Sequence, residues 1–204
     1  MSTTSSDSAP VTLATLRACR REGRRFACLT AYDASFTALM ERAGVDVLLV
    51  GDSLGMVIHG QATTLPVTVA DIVYHSRCVA RARHRAMLMA DMPFMSYTSV
   101  PQALGNAARL MQEGGAQIVK LEGGAEQLDV VAALAAHGVP VCAHLGLQPQ
   151  SVHKLGGYKV QGRGAAQAAA IVDEAMALEA AGADVLLLEA VPARVTEAVM
   201  ARVN

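Results

Sequence analysis

Short apolar runs that end in glycine, a carboxylate or a histidine recur along the chain and alternate with amphipathic stretches. The clearest covers residues 47–55, Val-Leu-Leu-Val followed at once by Gly-Asp-Ser-Leu-Gly. Four β-branched or leucine residues in succession predict a strand buried on both faces, as parallel sheets require. Further strands are predicted over 26–31 before Tyr32-Asp33, 86–90 before Asp91, 118–121 before Glu122, 139–143 before His144, and 185–188 before Glu189. Between them a period near 3.6 predicts helices over 13–20, 34–43 with Gly44 as its stop, and 165–181 before Gly182. Thr68 and Asp71 have capping-box spacing and open a helix that runs to about Ala82. Ser99 and Pro101 open another that Gly114-Gly115 closes, a further helix reaches His137, and a last one begins near Pro192. Residues 148–164 read as a long polar, glycine-rich loop.

One layout repeats. Residues 43–52 (Ala-Gly-Val-Asp-Val-Leu-Leu-Val-Gly-Asp) and 181–189 (Ala-Gly-Ala-Asp-Val-Leu-Leu-Leu-Glu) share a helix-stopping glycine, a strand and an acid, with 115–122 as a looser third copy. Repeated βα units with right-handed crossovers put every such strand end on one rim, which predicts a (β/α) barrel. A doubly wound sheet is the alternative, although no Gly-x-Gly-x-x-Gly follows the first strand. Six predicted strands are two short of a closed eight-stranded barrel. The expectation is therefore a C-terminally truncated α/β barrel over residues 11–204, preceded by a disordered Ser/Thr-rich tail over 1–10.

Composition narrows the function. A net charge of −1 and 3% aromatic residues give no electrostatic or stacking case for nucleic acid. No stretch approaches the roughly 20 apolar residues of a membrane span, and no secretory signal opens the chain, so a cytoplasmic protein without membrane partners is expected. The basic residues over 17–25 fit a solvated helix face better than a phosphate patch. Cys19, Cys28, Cys78 and Cys142 lack paired spacing and are expected to be reduced core thiols.

The strand ends carry the candidate chemistry. Asp52, Asp91 and Glu122 would repel one another on a shared rim unless a cation intervenes, and hard oxygen ligands select Mg²⁺. The competing assignment is that each acid caps the helix after it. Lys120 lies two residues before Glu122, on the same side of its strand, in a chain with three lysines and fourteen arginines. It would bind a substrate carboxylate or an enolate oxygen, or else pair with Glu122. His144 is either a satisfied core histidine or a hydrogen-bonding group for substrate. Glu189 ends the most apolar strand, where burial would make it a stronger general base. Metal, lysine and base together suit chemistry on a 2-oxo acid: the ion withdraws electron density, a base takes the neighbouring C–H proton, and the enolate attacks an electrophile.

At these residues the chain resembles the 3-methyl-2-oxobutanoate (ketopantoate) hydroxymethyltransferase family. The matching stretches begin at Thr30 (Thr-Ala-Tyr-Asp), Val50 (Val-Gly-Asp-Ser-Leu-Gly), Thr64 (Thr-Leu-Pro-Val-Thr-Val-Ala-Asp) and Ala90 (Ala-Asp-Met-Pro-Phe). They continue at Val119 (Val-Lys-Leu-Glu-Gly-Gly), His144 (His-Leu-Gly-Leu-Gln-Pro-Gln), Gly156 (Gly-Gly-Tyr-Lys-Val-Gln-Gly-Arg) and Leu188 (Leu-Glu-Ala-Val-Pro). The resemblance implies a TIM-type (β/α)₈ barrel that assembles into homo-oligomers, often decamers. It implies that Asp52, Asp91 and Glu122 hold Mg²⁺, that Ser53, Lys120 and His144 contact the oxo acid together with the metal-binding aspartates, and that Glu189 is the proton acceptor. The implied reaction moves a hydroxymethyl group from 5,10-methylenetetrahydrofolate to 3-methyl-2-oxobutanoate, giving 2-dehydropantoate for pantothenate biosynthesis. The alternatives are a Mg²⁺-dependent carbon–carbon lyase of the isocitrate-lyase or phosphoenolpyruvate-mutase type, and an inactive fragment.

Overall fold

The computed structural model describes residues 9–204; residues 1–8 of the expected tail over 1–10 lie outside the described residues. The chain alternates α1 (Leu13–Arg21), β1 (Cys28–Thr30), α2 (Ala34–Arg42), β2 (Val47–Val50), α3 (Leu54–Val57), α4 (Val69–Ala82) and β3 (Met87–Asp91). It goes on through α5 (Val100–Gln112), β4 (Ile118–Glu122), α6 (Leu128–Ala136), β5 (Val141–Gly146), α7 (Val152–Leu155), α8 (Ala165–Ala181), β6 (Val185–Glu189) and α9 (Ala193–Met200). The capping box predicted at Thr68 and Asp71 forms, with Thr68 Oγ1 accepting from the Asp71 N–H and Asp71 accepting from the Thr68 N–H. A second such box, between Thr12 and Thr15, starts α1.

The strands pair in the order β1-β2-β3-β4-β5-β6, each parallel to its neighbour. A doubly wound sheet reverses its order at a switch point, so that alternative is overturned. Thr30 of β1 and Leu187 and Glu189 of β6 line the same cavity, which shows the sheet to be curled, with β1 and β6 as its edges among the described residues.

Alternation along each strand separates two cores. Leu48, Val50, Leu88, Ala90, Val119, Leu121, Val141 and Ala143 face outward into the layer covered by the helices. Val47, Met87, Met89, Ile118 and Cys142 face inward and meet Val11 and Leu16, so α1 and the residues before it plug the end of the curl where the strands begin. Arg17 binds Asp184 at 2.7 Å, and Arg20 donates to the carbonyls of Met200 and Val203 at 2.7 and 3.0 Å. Two of the five arginines of the expected solvated basic face thus tie α1 to later parts of the chain, Arg17 to the residue before β6 and Arg20 to the end of α9 and the residues after it. The same inward parity, carried towards the strand ends, leads from Met89 to Asp91, from Ile118 through Lys120 to Glu122, and from Cys142 to His144.

Several boundaries differ from expectation. The first strand covers three residues where six were predicted, because β1 pairs only with β2 and its residues are exposed. The loop over 148–164 contains a 3₁₀ turn, Pro149–Ser151, and the single-turn α7. All four cysteines are free, but only Cys19 and Cys142 are buried; Cys28 is exposed and Cys78 partly so, which corrects the expectation of four core thiols.

Candidate active site

Asp52, Ser53, Asp91, Lys120, Glu122, His144 and Glu189 line one cavity of about 330 Å³ at the carboxyl ends of the strands. Every site residue expected from the sequence is therefore brought together. Helix capping by a strand-end acid does occur in this fold, at Asp33, which accepts from the N–H groups of Ser35 and Phe36 at the start of α2. It fails for Asp52, Asp91 and Glu122, whose carboxylates point into the cavity.

The register explains the charge arrangement. Asp91 lies beside Lys120, and Glu122 beside His144, on adjacent strands. Lys120 Nζ sits 2.6 Å from Asp91 Oδ1 and 3.8 Å from Glu122 Oε1, so the alternative ion pair with Glu122 is present but the closer partner is Asp91. Asp91 Oδ2 accepts from the Asp52 backbone N–H at 3.1 Å, which ties the β2 and β3 ends together. Gly55 allows the turn after β2 to nest, since a Cβ there would lie 2.6 Å from Val67 Cγ2. Ser53 is less buried than the carboxylates, and its hydroxyl shares a 2.8 Å hydrogen bond with that of Tyr32.

Three buried carboxylates against one ammonium leave negative charge in excess. Burial and the nearby Asp91 charge push the Asp52 carboxyl up to about 8, and burial pushes Glu122 up to about 7. Burial alone would lower the Lys120 ammonium, yet Asp91, Glu122 and Asp52 together outweigh it and hold it above its ordinary value. His144 is pushed down to about 3 by burial and by the Lys120 charge, so its imidazole is neutral at physiological pH. Its ring nitrogens lie 3.5 Å from Glu122 Oε1 and 3.4 Å from Glu189 Oε2, and neither contact is aligned as a hydrogen bond. Glu122 Oε1 also lacks a hydrogen-bond partner among the described residues. Glu189 departs from expectation in its surroundings: β6 is only half-buried and the glutamate side chain is 44% exposed.

These features fit a hard divalent cation. Carboxylates that hold protons for want of a counter-charge, beside an unpartnered carboxylate oxygen, are the donor set Mg²⁺ takes. Among the described residues no three His, Cys, Asp or Glu side chains form a ready-made metal cage, however. Mg²⁺ needs less: it keeps several waters and uses one or two carboxylates with substrate oxygens. Gln150 and Tyr97, which the sequence reading passed over, complete the surroundings. Gln150 donates to Asp52 and, through its backbone, to Glu122, while Tyr97 donates to Gln150. Their only signal is position, since each lies in the loop just past a site-bearing strand.

The fold and this rim define the class: a curled parallel α/β protein with an acid-lined cavity where its strands end. Solved structures with this fold include 2,3-dimethylmalate lyase, a member of the PEP mutase/isocitrate lyase superfamily, at TM-score 0.66 and 17% identity over 93% of this chain and 66% of that one. Phosphonopyruvate hydrolase complexed with oxalate and Mg²⁺ also has TM-score 0.66 at 17% identity, covering 87% of this chain and 62% of that one. Residues 10–204 match the family model of ketopantoate hydroxymethyltransferase, and the chain belongs to that family. It is 66% identical over 183 residues to the 3-methyl-2-oxobutanoate hydroxymethyltransferase of Halorhodospira halophila, and 62% identical over 184 residues to that of Alkalilimnicola ehrlichii. In both cases the match covers 90% of this chain and 66% of the relative, so the chain spans just under two thirds of their length. No helix among the described residues is long and apolar enough to cross a membrane.

Proposed function

We propose that the chain transfers a hydroxymethyl group from 5,10-methylenetetrahydrofolate to 3-methyl-2-oxobutanoate, giving 2-dehydropantoate and tetrahydrofolate. The observation that carries this reading is the convergence of Asp52, Asp91, Lys120, Glu122, His144 and Glu189 on one small cavity, in a chain of this family. Asp52 and Asp91 would hold Mg²⁺, with Glu122 beside them; when bound, the ion polarises the oxo-acid oxygens and acidifies the C3 proton. Lys120, anchored on Asp91, offers its remaining N–H groups to the substrate's oxygens. Ser53, oriented by Tyr32, adds a hydroxyl on the same side. The Glu189 carboxylate takes the C3 proton, and the neutral His144 ring, 3.4 Å from it, lines the same pocket without adding charge. Water cleaves the two C–N bonds that hold the one-carbon unit, releasing tetrahydrofolate and formaldehyde, and the C3 enolate carbon adds to the formaldehyde carbonyl, whose oxygen takes a proton and becomes the new hydroxyl. A cytoplasmic location and assembly into a homo-oligomer, a decamer by resemblance, accompany this reading; sedimentation tests the assembly.

Exchange of the C3 proton of 3-methyl-2-oxobutanoate into deuterated water, with Mg²⁺ and without folate, tests the central step. Glu189→Gln is expected to slow exchange by about 10²-fold or more. Exchange at the unaltered rate in that variant removes Glu189 from the role. The superfamily fold of the solved structures favours one second reading, a 2-oxo-acid carbon–carbon lyase. Product formation that requires folate excludes it, whereas cleavage of a substrate without folate establishes it.

A further inference from the structure

Gln150 is buried, 5% exposed, and uses every polar atom of its side chain. Nε2 donates to Asp52 Oδ2 at 2.9 Å and to the Met92 carbonyl at 3.0 Å. Oε1 accepts from the Tyr97 hydroxyl at 2.5 Å. The Gln150 backbone N–H donates to Glu122 Oε2 at 3.0 Å, and the Glu122 backbone N–H donates to the Tyr97 oxygen at 3.3 Å. A closed circuit therefore runs from the Glu122 main chain through Tyr97 and Gln150 back to the Glu122 carboxylate, with a side arm on Asp52.

The circuit has one sense. Turning the amide over would aim Oε1 at a carboxylate and a carbonyl, two acceptors, and would leave the NH₂ against the hydroxyl. Tyr97 has one proton, and the Gln150 oxygen is closer to it than its other acceptor, the Glu122 carbonyl at 3.2 Å. Neither Gln150 nor Tyr97 lines the cavity, so neither is placed to touch a ligand. The contrast with Lys120 shows what an amide can do here: the ammonium offsets the Asp91 charge, whereas Gln150 orients Asp52 and leaves its charge available to a cation.

We infer that Gln150 and Tyr97 are a positioning pair: they engage Asp52 Oδ2 and Glu122 Oε2 and so present the second oxygen of each carboxylate to a divalent cation. This rests on the metal reading above. Unpartnered Glu122 Oε1 is the oxygen such an arrangement leaves over.

The test is calorimetric titration of MgCl₂ into the full chain and into Tyr97→Phe, Gln150→Met and the double variant, with a thermal melt of each metal-free protein. Phe removes a single oxygen, and Met keeps the length of the glutamine. Each single change is expected to weaken Mg²⁺ binding about tenfold, the usual scale for groups that orient metal ligands. The double variant is expected to be no more than about twofold weaker than Gln150→Met, because Tyr97 acts through Gln150. In turnover assays the Mg²⁺ concentration for half-maximal rate rises by the same factor, while kcat at saturating Mg²⁺ is held within about twofold. A purely structural role predicts lower melting midpoints with unchanged Mg²⁺ affinity, and that result overturns the inference. So do independent, multiplying effects in the double variant. If Gln150→Met does not fold, Tyr97→Phe decides alone. An unaltered chain that takes up no Mg²⁺ overturns the metal reading as well, which separates the two failures.

Discussion

Strands β3 and β4 are buried at every position, whereas β1 is exposed at all three of its residues and β6 is half-buried along its length. The site is divided in the same way. Asp91, Lys120 and Glu122 have side chains 2–5% exposed, against 44% for Glu189. Charges on the middle strands are fixed by packing and by one another, so the buried, acid-lined half of the cavity is held in place by the protein itself. Glu189 stands in water on a flank.

The largest expected effect that tests this contrast is on the central ammonium. Lys120→Met removes the countercharge from three buried carboxylates and is expected to cost about 3–5 kcal/mol, while Glu189→Gln on the flank changes stability by less than about 0.5 kcal/mol. Denaturant melts of both variants at neutral pH measure the difference, and similar losses would break the division. Next in size is a comparison of apolar truncations. Leu88→Ala, in the middle of the sheet and fully buried, is expected to cost about 2–5 kcal/mol; Leu29→Ala, 48% exposed on β1, less than about 1 kcal/mol.

The smallest effect is a pH dependence that sharpens the electrostatic half of the contrast. Asp52 is raised to about 8 and Glu122 to about 7, so the folded chain binds more protons than the unfolded one between an ordinary carboxyl value of about 4 and those values. Stability of the metal-free chain therefore falls as pH rises through that window, by at most about 1.4 kcal/mol per pH unit for each carboxyl. Mg²⁺ must displace the same protons, so its affinity is expected to rise up to about pH 8 and then level off. Calorimetry in buffers of different ionisation heat counts the protons released. Affinity that is flat between pH 6 and pH 8 would show Asp52 ionised without the metal.

Much of this was legible in the sequence because burial and parity leave a periodic trace. The apolar runs marked six strands, and the polar residue after each marked the rim where Asp52, Asp91, Glu122, His144 and Glu189 gather. What escaped notice depends on neighbours that no local pattern reveals. The closer partner of Lys120 went unseen because Asp91 lies 29 positions away and becomes adjacent only through the β3–β4 register. Glu189 was taken as buried because Val-Leu-Leu-Leu resembles the runs of the middle strands, yet a strand's exposure depends on what flanks it. The short helices α3 and α7, four residues each, are too brief for a 3.6-residue period to show. Gln150 and Tyr97 are neutral, and a neutral side chain makes no charge pattern; their importance lies wholly in the hydrogen bonds they complete.

The clasp of Arg20 on the carbonyls of Met200 and Val203 spans 180 and 183 positions of sequence. During synthesis α1 leaves the ribosome long before its acceptors exist, so the floor of the curl cannot be sealed until α9 has emerged and docked. Contacts of such long range slow folding, and until they form the inward faces of Val47, Met87 and Cys142 lack the arginine ties that hold their cover in place. For a nascent chain this makes the docking of α9 the step that fixes α1 over the floor.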